Sequence, residues 1–149
     1  MDKPQYNIYF SGSISGGRQD AGTYREIIVH LKKYGRVLTD HIGSLDLTAG
    51  GEEGVDDKQV YLRDMQWIDL ADVFIAEVSN PSLGVGYELA CAEQRRKPVL
   101  CLFREGATRR LSAMIAGNPA LTVKRYRSAG EIIPILDAFF TELANGSVA

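Results

Sequence analysis

The run Pro81-Ser82-Leu83-Gly84-Val85-Gly86-Tyr87-Glu88 places a serine and two glycines where a β-rich stretch passes into a helical pattern, with a carboxylate close behind. A helix start offers unpaired backbone N–H groups and partial positive charge, and glycines let a ligand come close to the main chain, so a phosphate would sit here. The spacing places Glu88 in the first turn of that helix, beside such a phosphate. A carboxylate next to a sugar phosphate points to chemistry at the sugar. A glycosidic carbon is attacked by a carboxylate or by a water that a carboxylate activates.

Other residues bear on the same chemistry, each with a plainer reading beside it. Asp64 lies mid-helix among Tyr61, Met65 and Ile68, near an apolar stripe where an unpaired carboxylate is costly. It stands either in a site or on the polar border of the helix, with Arg63 and Asp69 continuing a solvated face. Tyr9 belongs to a strand, where a tyrosine serves core packing or a ligand. His41 ends a candidate strand at the ligand edge, and Ser112 reads as a helix-start or surface serine. The loop Ser11-Gly12-Ser13-Ile14-Ser15-Gly16-Gly17-Arg18 has the glycine spacing of a P-loop, but Arg18-Gln19 stands where Lys and Ser or Thr would contact phosphate and magnesium. GxGxxG cannot be laid on these glycines either. The loop is then either a small-residue passage for a flat ligand such as a base or an ordinary tight turn.

These residues need elements to hold them, and the periodicity supplies a set. Strands are expected at Tyr6 to Ser11, Arg36 to Ile42, Ala71 to Val78, Pro98 to Phe103 and Leu121 to Tyr126. Tyr24, Ile27, Ile28, Leu31 and Tyr34 recur at helical spacing before Gly35, and Asp57 to Leu70 carries Tyr61, Met65 and Ile68 on one face. A third helix runs from Gly84 to about Arg96, and Ser128 with Glu131 forms a capping-box start for the last. Strands alternating with helices imply an α/β single domain with a mostly parallel five-stranded sheet, helices on both faces and ligands at the carboxyl ends of the strands. The segment Gly43 to Gly54, with four glycines, is a flap or a solvent loop.

Composition bounds the function. The 149 residues fit one domain, and 45% hydrophobic residues can build a continuous core. With 17 basic and 19 acidic residues the formal charge is −2, too balanced for a strongly electrostatic nucleic-acid binder. No run is long enough for a membrane span. Cys91 and Cys101 read as buried free thiols, which points to an intracellular, reducing compartment, the cytoplasm and also the nucleus. No His/Cys/carboxylate cluster has metal-ligand spacing, and no cofactor is expected.

Taken in order, Tyr9-Phe10-Ser11-Gly12-Ser13-Ile14-Ser15-Gly16-Gly17-Arg18, Leu38-Thr39-Asp40-His41, Ala71-Asp72-Val73 through Glu77-Val78, the octet Pro81 to Glu88 and Leu111-Ser112-Ala113-Met114-Ile115 closely resemble the 2′-deoxynucleoside 5′-monophosphate N-hydrolases of the nucleoside 2-deoxyribosyltransferase superfamily. The resemblance implies a Rossmann-like (flavodoxin-like) fold and a deoxyribonucleoside 5′-monophosphate substrate. By it, Glu88 is the nucleophile that attacks the anomeric carbon, and water later releases 2-deoxyribose 5-phosphate. Asp64 is the second essential carboxylate, and Tyr9 lies near the sugar. Ser82 and Gly84 hold the 5′-phosphate, completed by Ser112 from the neighbouring subunit of a homodimer, with Met114 also at the substrate. Gly12, Ser13, Ile14, Ser15, Gly16, Gly17, Arg18 and His41 surround the base. One position departs from the pattern: relatives carry arginine where this chain has Ser15, and serine cannot replace a planar multidentate donor. A deoxyribosyltransferase, the cytokinin-activating phosphoribohydrolases and a non-catalytic nucleotide-binding module are the alternatives.

Overall fold

Along β1 (Tyr6–Ser11) successive side chains go to opposite faces of the sheet, and this alternation divides the protein into a structural half and a chemical half. Ile8 and Phe10 join one apolar cluster, packed by α1 (Ala21–Leu31) and α5 (Ala129–Ala144). Tyr9 joins the other, under α2 (Asp57–Leu70) and α3 (Leu83–Gln94). The computed structural model describes residues 5–14, 20–44 and 47–146; Ser15, Gly16, Gly17 and Arg18 lie outside them.

Five strands, β1, β2 (Gly35–Val37), β3 (Val73–Glu77), β4 (Val99–Arg104) and β5 (Thr122–Tyr126), form one sheet in the order β2-β1-β3-β4-β5. Every pairing is parallel, so the expected mostly parallel sheet is wholly so. The chain leaves β1 first to β2 on one side and then crosses to β3 on the other. The carboxyl ends of β1 and β3 therefore border the crevice where this topology places ligands.

The second strand, the placement of His41 and the capping of the last helix differ from the sequence reading. The second strand stops at Val37 rather than running to Ile42, because the Thr39 hydroxyl takes over the next pair of bonds to β1: it accepts from the Phe10 amide at 3.0 Å and donates to the Phe10 carbonyl at 2.6 Å. The chain then turns through a 3-10 segment, Asp40–Gly43, so His41 sits in a turn and not at a strand end. The last helix does begin after Ser128, but that side chain makes no cap bond; Glu131 instead accepts from the Arg127 amide at 2.7 Å. A short helix, α4 (Ala113–Ala116), follows Ser112, whose hydroxyl accepts from the Met114 amide at 3.3 Å. Ser112 is thus the helix-start serine of its plainer reading. Cys91 and Cys101 are buried free thiols.

Candidate active site

Tyr9 and Ser11 are two apart on β1 and so share the face under α3. From α3, Glu88 reaches down to them: the Ser11 hydroxyl donates to Glu88 Oε2 at 2.8 Å, and the Tyr9 hydroxyl hydrogen-bonds the same carboxyl group. Tyr9 satisfies both of its readings at once. Its ring is 1% exposed and stacks on Phe74 at 4.9 Å between centroids, while its hydroxyl serves Glu88. Burial, with the charges of Glu88 and Asp64, pushes the Tyr9 phenol far above its ordinary value, so it remains a hydrogen-bond donor.

Glu88 is the sixth residue of α3, in its second turn rather than its first, and is partly buried. Helix-terminal charge acts mainly within the first turn, so little of that stabilisation reaches Glu88. Burial dominates instead: the carboxyl is pushed up to about 7, with the Asp64 charge adding to the rise and the Ser11 and Tyr9 hydroxyls opposing it. The expected first-turn position is corrected accordingly. Such a carboxylate is held in contact with two hydroxyl donors yet is poorly solvated, which favours its use as a nucleophile.

Asp64 does not belong to a solvated face. It is partly buried, within reach of the charges of Tyr9 and Glu88, and burial raises its carboxyl above the usual range against the opposing pull of Arg63 and His41. Two carboxylates facing one another in this way do not readily ionise together. Arg63 folds back along the helix, its Nε donating to Asp64 Oδ1 at 3.0 Å and its guanidinium lying 4.6 Å over the Trp67 ring. His41 packs against the same indole at 5.9 Å, with its Nε2 3.4 Å from Glu52. Burial lowers its proton affinity, so the imidazole is neutral at physiological pH.

The loop between β3 and α3 is fastened from below. Glu77, fully buried, accepts from the Ser79 amide at 2.5 Å and hydroxyl at 3.0 Å and from the Tyr126 hydroxyl, while the Arg104 amide donates to Ser79 Oγ at 2.8 Å. Asn80 ties the loop to the first one through Ser13 Oγ at 3.1 Å. Ser82 caps α3: its hydroxyl takes the Val85 amide and its carbonyl the Gly86 amide. The amides of Leu83 and Gly84 are left as the helix's open donors. A Cβ added to Gly84 would meet only Ser82 Oγ at 3.8 Å, and one on Gly86 nothing. The chain's own packing does not require glycine at either position.

A cavity of about 880 Å³ runs along the other flank of α3, walled by Ser82, Gly84, Gly86, Arg110, Ser112 and Met114. Glu88, Asp64 and Tyr9 are not part of its wall. The structure therefore makes two groupings: the catalytic candidates under α3, and the phosphate candidates with Ser112 and Met114 beside it. Gly12 and Ser13 are buried. A Cβ on Gly12 would lie 2.9 Å from the Tyr24 ring, and the Ser13 amide donates to the Tyr24 hydroxyl at 3.1 Å. Both hold the first loop in place; Ile14 packs against the neighbouring apolar cluster.

Three residues that the motifs do not single out belong to the site: Ser11, Arg63 and Glu52. Ser11 was legible, since strand alternation puts it on the face of Tyr9. Glu52 was not, because its pairing with Arg63 crosses eleven residues through a segment without periodicity.

The sequence model of the family described as nucleoside 2-deoxyribosyltransferase matches residues 8–121. The chain is 47% identical over 143 residues to the 5-hydroxymethyl-dUMP N-hydrolase of Esox lucius, covering 93% of this chain and 98% of that protein. To the 5-hydroxymethyl-dUMP N-hydrolase of Homo sapiens it is 44% identical over 147 residues, covering 95% and 83% respectively. Among solved structures it is similar in fold to the CMP N-glycosidase BcmB of Clostridium botulinum, with a TM-score of 0.60 at 21% identity over 87% of this chain and 97% of that one.

Proposed function

Because the chain belongs to the nucleoside 2-deoxyribosyltransferase family, we propose that it hydrolyses the N-glycosidic bond of 2′-deoxynucleoside 5′-monophosphates, giving free base and 2-deoxyribose 5-phosphate. The observation that carries the reading is the Glu88 carboxyl, held at 2.8 Å by the Ser11 hydroxyl, beside the Tyr9 hydroxyl and within the field of Asp64. The Glu88 carboxylate attacks C1′ and forms a glycosyl ester as the C1′–N bond breaks. Asp64, whose carboxyl burial raises above its ordinary range, gives a proton to the departing base. Water then cleaves the ester, its hydroxyl going to C1′ and its remaining proton back to the site. Covalent catalysis splits one difficult displacement into two easier ones. Tyr9 orders the nucleophile and fills the space beside the sugar, where its bulk disfavours a 2′-hydroxyl.

The 5′-phosphate lies on the Ser82 hydroxyl and the Leu83 and Gly84 amides. The working unit is a homodimer in which Ser112 of one subunit completes the phosphate site of its neighbour. Leu83, Met114 and Tyr87 support this: they are 96%, 82% and 58% exposed on α3 and α4, an apolar surface that a second copy would cover. A subunit seated on α3 brings its own α4 toward the phosphate loop. Ser112→Ala is expected to raise KM for the monophosphate about tenfold, the value of one hydrogen bond to a charged group, and to leave kcat within about twofold. A fully active monomer in sedimentation experiments would rule the shared site out.

The direct assay incubates the protein with each deoxyribonucleoside monophosphate, with 5-hydroxymethyl-dUMP after its relatives' name, and with the matching ribonucleotides and nucleosides. Free base from the deoxyribonucleoside monophosphates alone is expected. Base exchange that requires an added second base would make the protein a transferase, and binding without turnover a nucleotide-binding module. The pH profile adds a second check. kcat/KM should climb through about pH 7 as Glu88 loses its proton. Ser11→Ala removes a donor that stabilises the carboxylate, so the climb moves to higher pH. An unmoved climb would separate Ser11 from the nucleophile.

A further inference from the structure

Arg63 is divided between two carboxylates. Its Nη1 and Nη2 each lie 2.8 Å from one oxygen of Glu52, a two-pronged pair, while Nε and Nη2 both lie 3.0 Å from Asp64 Oδ1. Glu52 comes from the segment between the 3-10 turn and α2, in which Thr48 and Gly51 form an antiparallel bridge and Gly51 and Gly54 take positive φ of 89° and 74°. Asp56 then caps α2 through the Gln59 amide at 2.8 Å. The segment is therefore shaped at both ends, and in its middle Glu52 grips the helix that bears Asp64. A surface pair would contribute little, but this one is largely shielded: the side chains of Arg63 and Glu52 are 28% and 18% exposed, and the Trp67 ring stacks beneath the guanidinium.

We propose that Glu52 is a positioning residue for Asp64, fixing the Arg63 guanidinium in one orientation and sharing its charge, so that Asp64 stays aimed at the reacting base and is not locked into a full ion pair with its neighbour. The inference rests on the functional reading above for the role of Asp64. The groups that face Asp64 are Arg63 on its own helix, His41 from the 3-10 turn, Glu52 from the segment before α2, Glu88 on α3 and Tyr9 on β1. Of these, Arg63 alone is positive at neutral pH, since burial keeps His41 neutral. Neutralising Glu52 hands the whole guanidinium to Asp64 and favours its anion. Removing Arg63 does the reverse.

The test follows the Asp64 carboxyl by carbon-13 titration, together with kcat and KM, in full-length wild type, Glu52→Gln, Arg63→Gln and Arg63→Lys. Glu52→Gln is expected to move the Asp64 midpoint to lower pH by roughly one pH unit and to lower kcat about tenfold with KM within about twofold. Arg63→Gln moves the midpoint to higher pH. Arg63→Lys keeps the charge but cannot span two carboxylates with one planar fork, so kcat falls without recovery of the wild-type value. If Glu52→Gln does not fold, Arg63→Lys decides alone, and wild-type kcat there overturns the proposal. An Asp64 midpoint that is the same in wild type and folded Glu52→Gln overturns it as well. A midpoint that moves in a protein with no hydrolase activity would instead retain the positioning and remove the proposed function.

Discussion

Replacing Glu88 with alanine is expected to lower kcat by roughly a thousandfold or more while the protein stays folded, because on the proposed mechanism it removes the group that attacks C1′ and with it the reaction path. Turnover close to wild type in Glu88→Ala would refute the assignment. The same residue carries a stability signature with the opposite sign. Its carboxyl rises from an ordinary 4.5 to about 7 in the folded chain. Between those values the unfolded chain has already given up the proton and the folded one has not, so stability falls as pH rises through that window. At 1.36 kcal/mol per pH unit the loss is about 3 kcal/mol above pH 7. Glu88→Gln, which cannot ionise, should therefore melt several degrees above wild type at pH 8, with the difference closing toward pH 4.5. A pH-independent difference in melting temperature would show that the carboxyl is not strained by burial.

Gly35→Ala is expected to be the most damaging single-methyl change in the fold. A Cβ there would lie 1.9 Å from the Tyr6 carbonyl oxygen and 2.5 Å from the Tyr6 nitrogen, and backbone cannot turn aside as a side-chain tip can. Tyr6 and Gly35 are the first register pair between β1 and β2. Only three residues hold β2 to the sheet, so a clash at one of them threatens the strand and, beyond it, the placement of Thr39 and His41. A loss of about 3 kcal/mol corresponds to roughly 10 °C in Tm for a chain of this size. Melting within about 2 °C of wild type would show that β2 shifts freely. Activity lost together with His41 placement would connect the strand to the site.

Much of this protein was readable from residue types at fixed spacing. Strand alternation and helical stripes are local consequences of backbone geometry, so β1, α2 and the parallel α/β order followed from the chain directly, and the Pro81 to Glu88 octet marked the start of α3. The second strand was misread past Val37 because a hydroxyl, Thr39, substitutes for the backbone ladder, a replacement visible only once β1 lies alongside. Spacing put Glu88 in the first turn of its helix, whereas it lies in the second, and burial beside Tyr9 and Ser11 raises its proton affinity. Arg63 and Asp64 illustrate the same division, because the sequence left Asp64 either in a site or on a solvated border, and the partner of Arg63 that bears on the choice, Glu52, arrives from outside the helix. Local pattern determined which residues are present and which way each points along its own element. Only the packing of separate elements determined how much water each charge keeps and which opposite charge replaces that water, since solvation and long-range pairing are properties of the assembled chain.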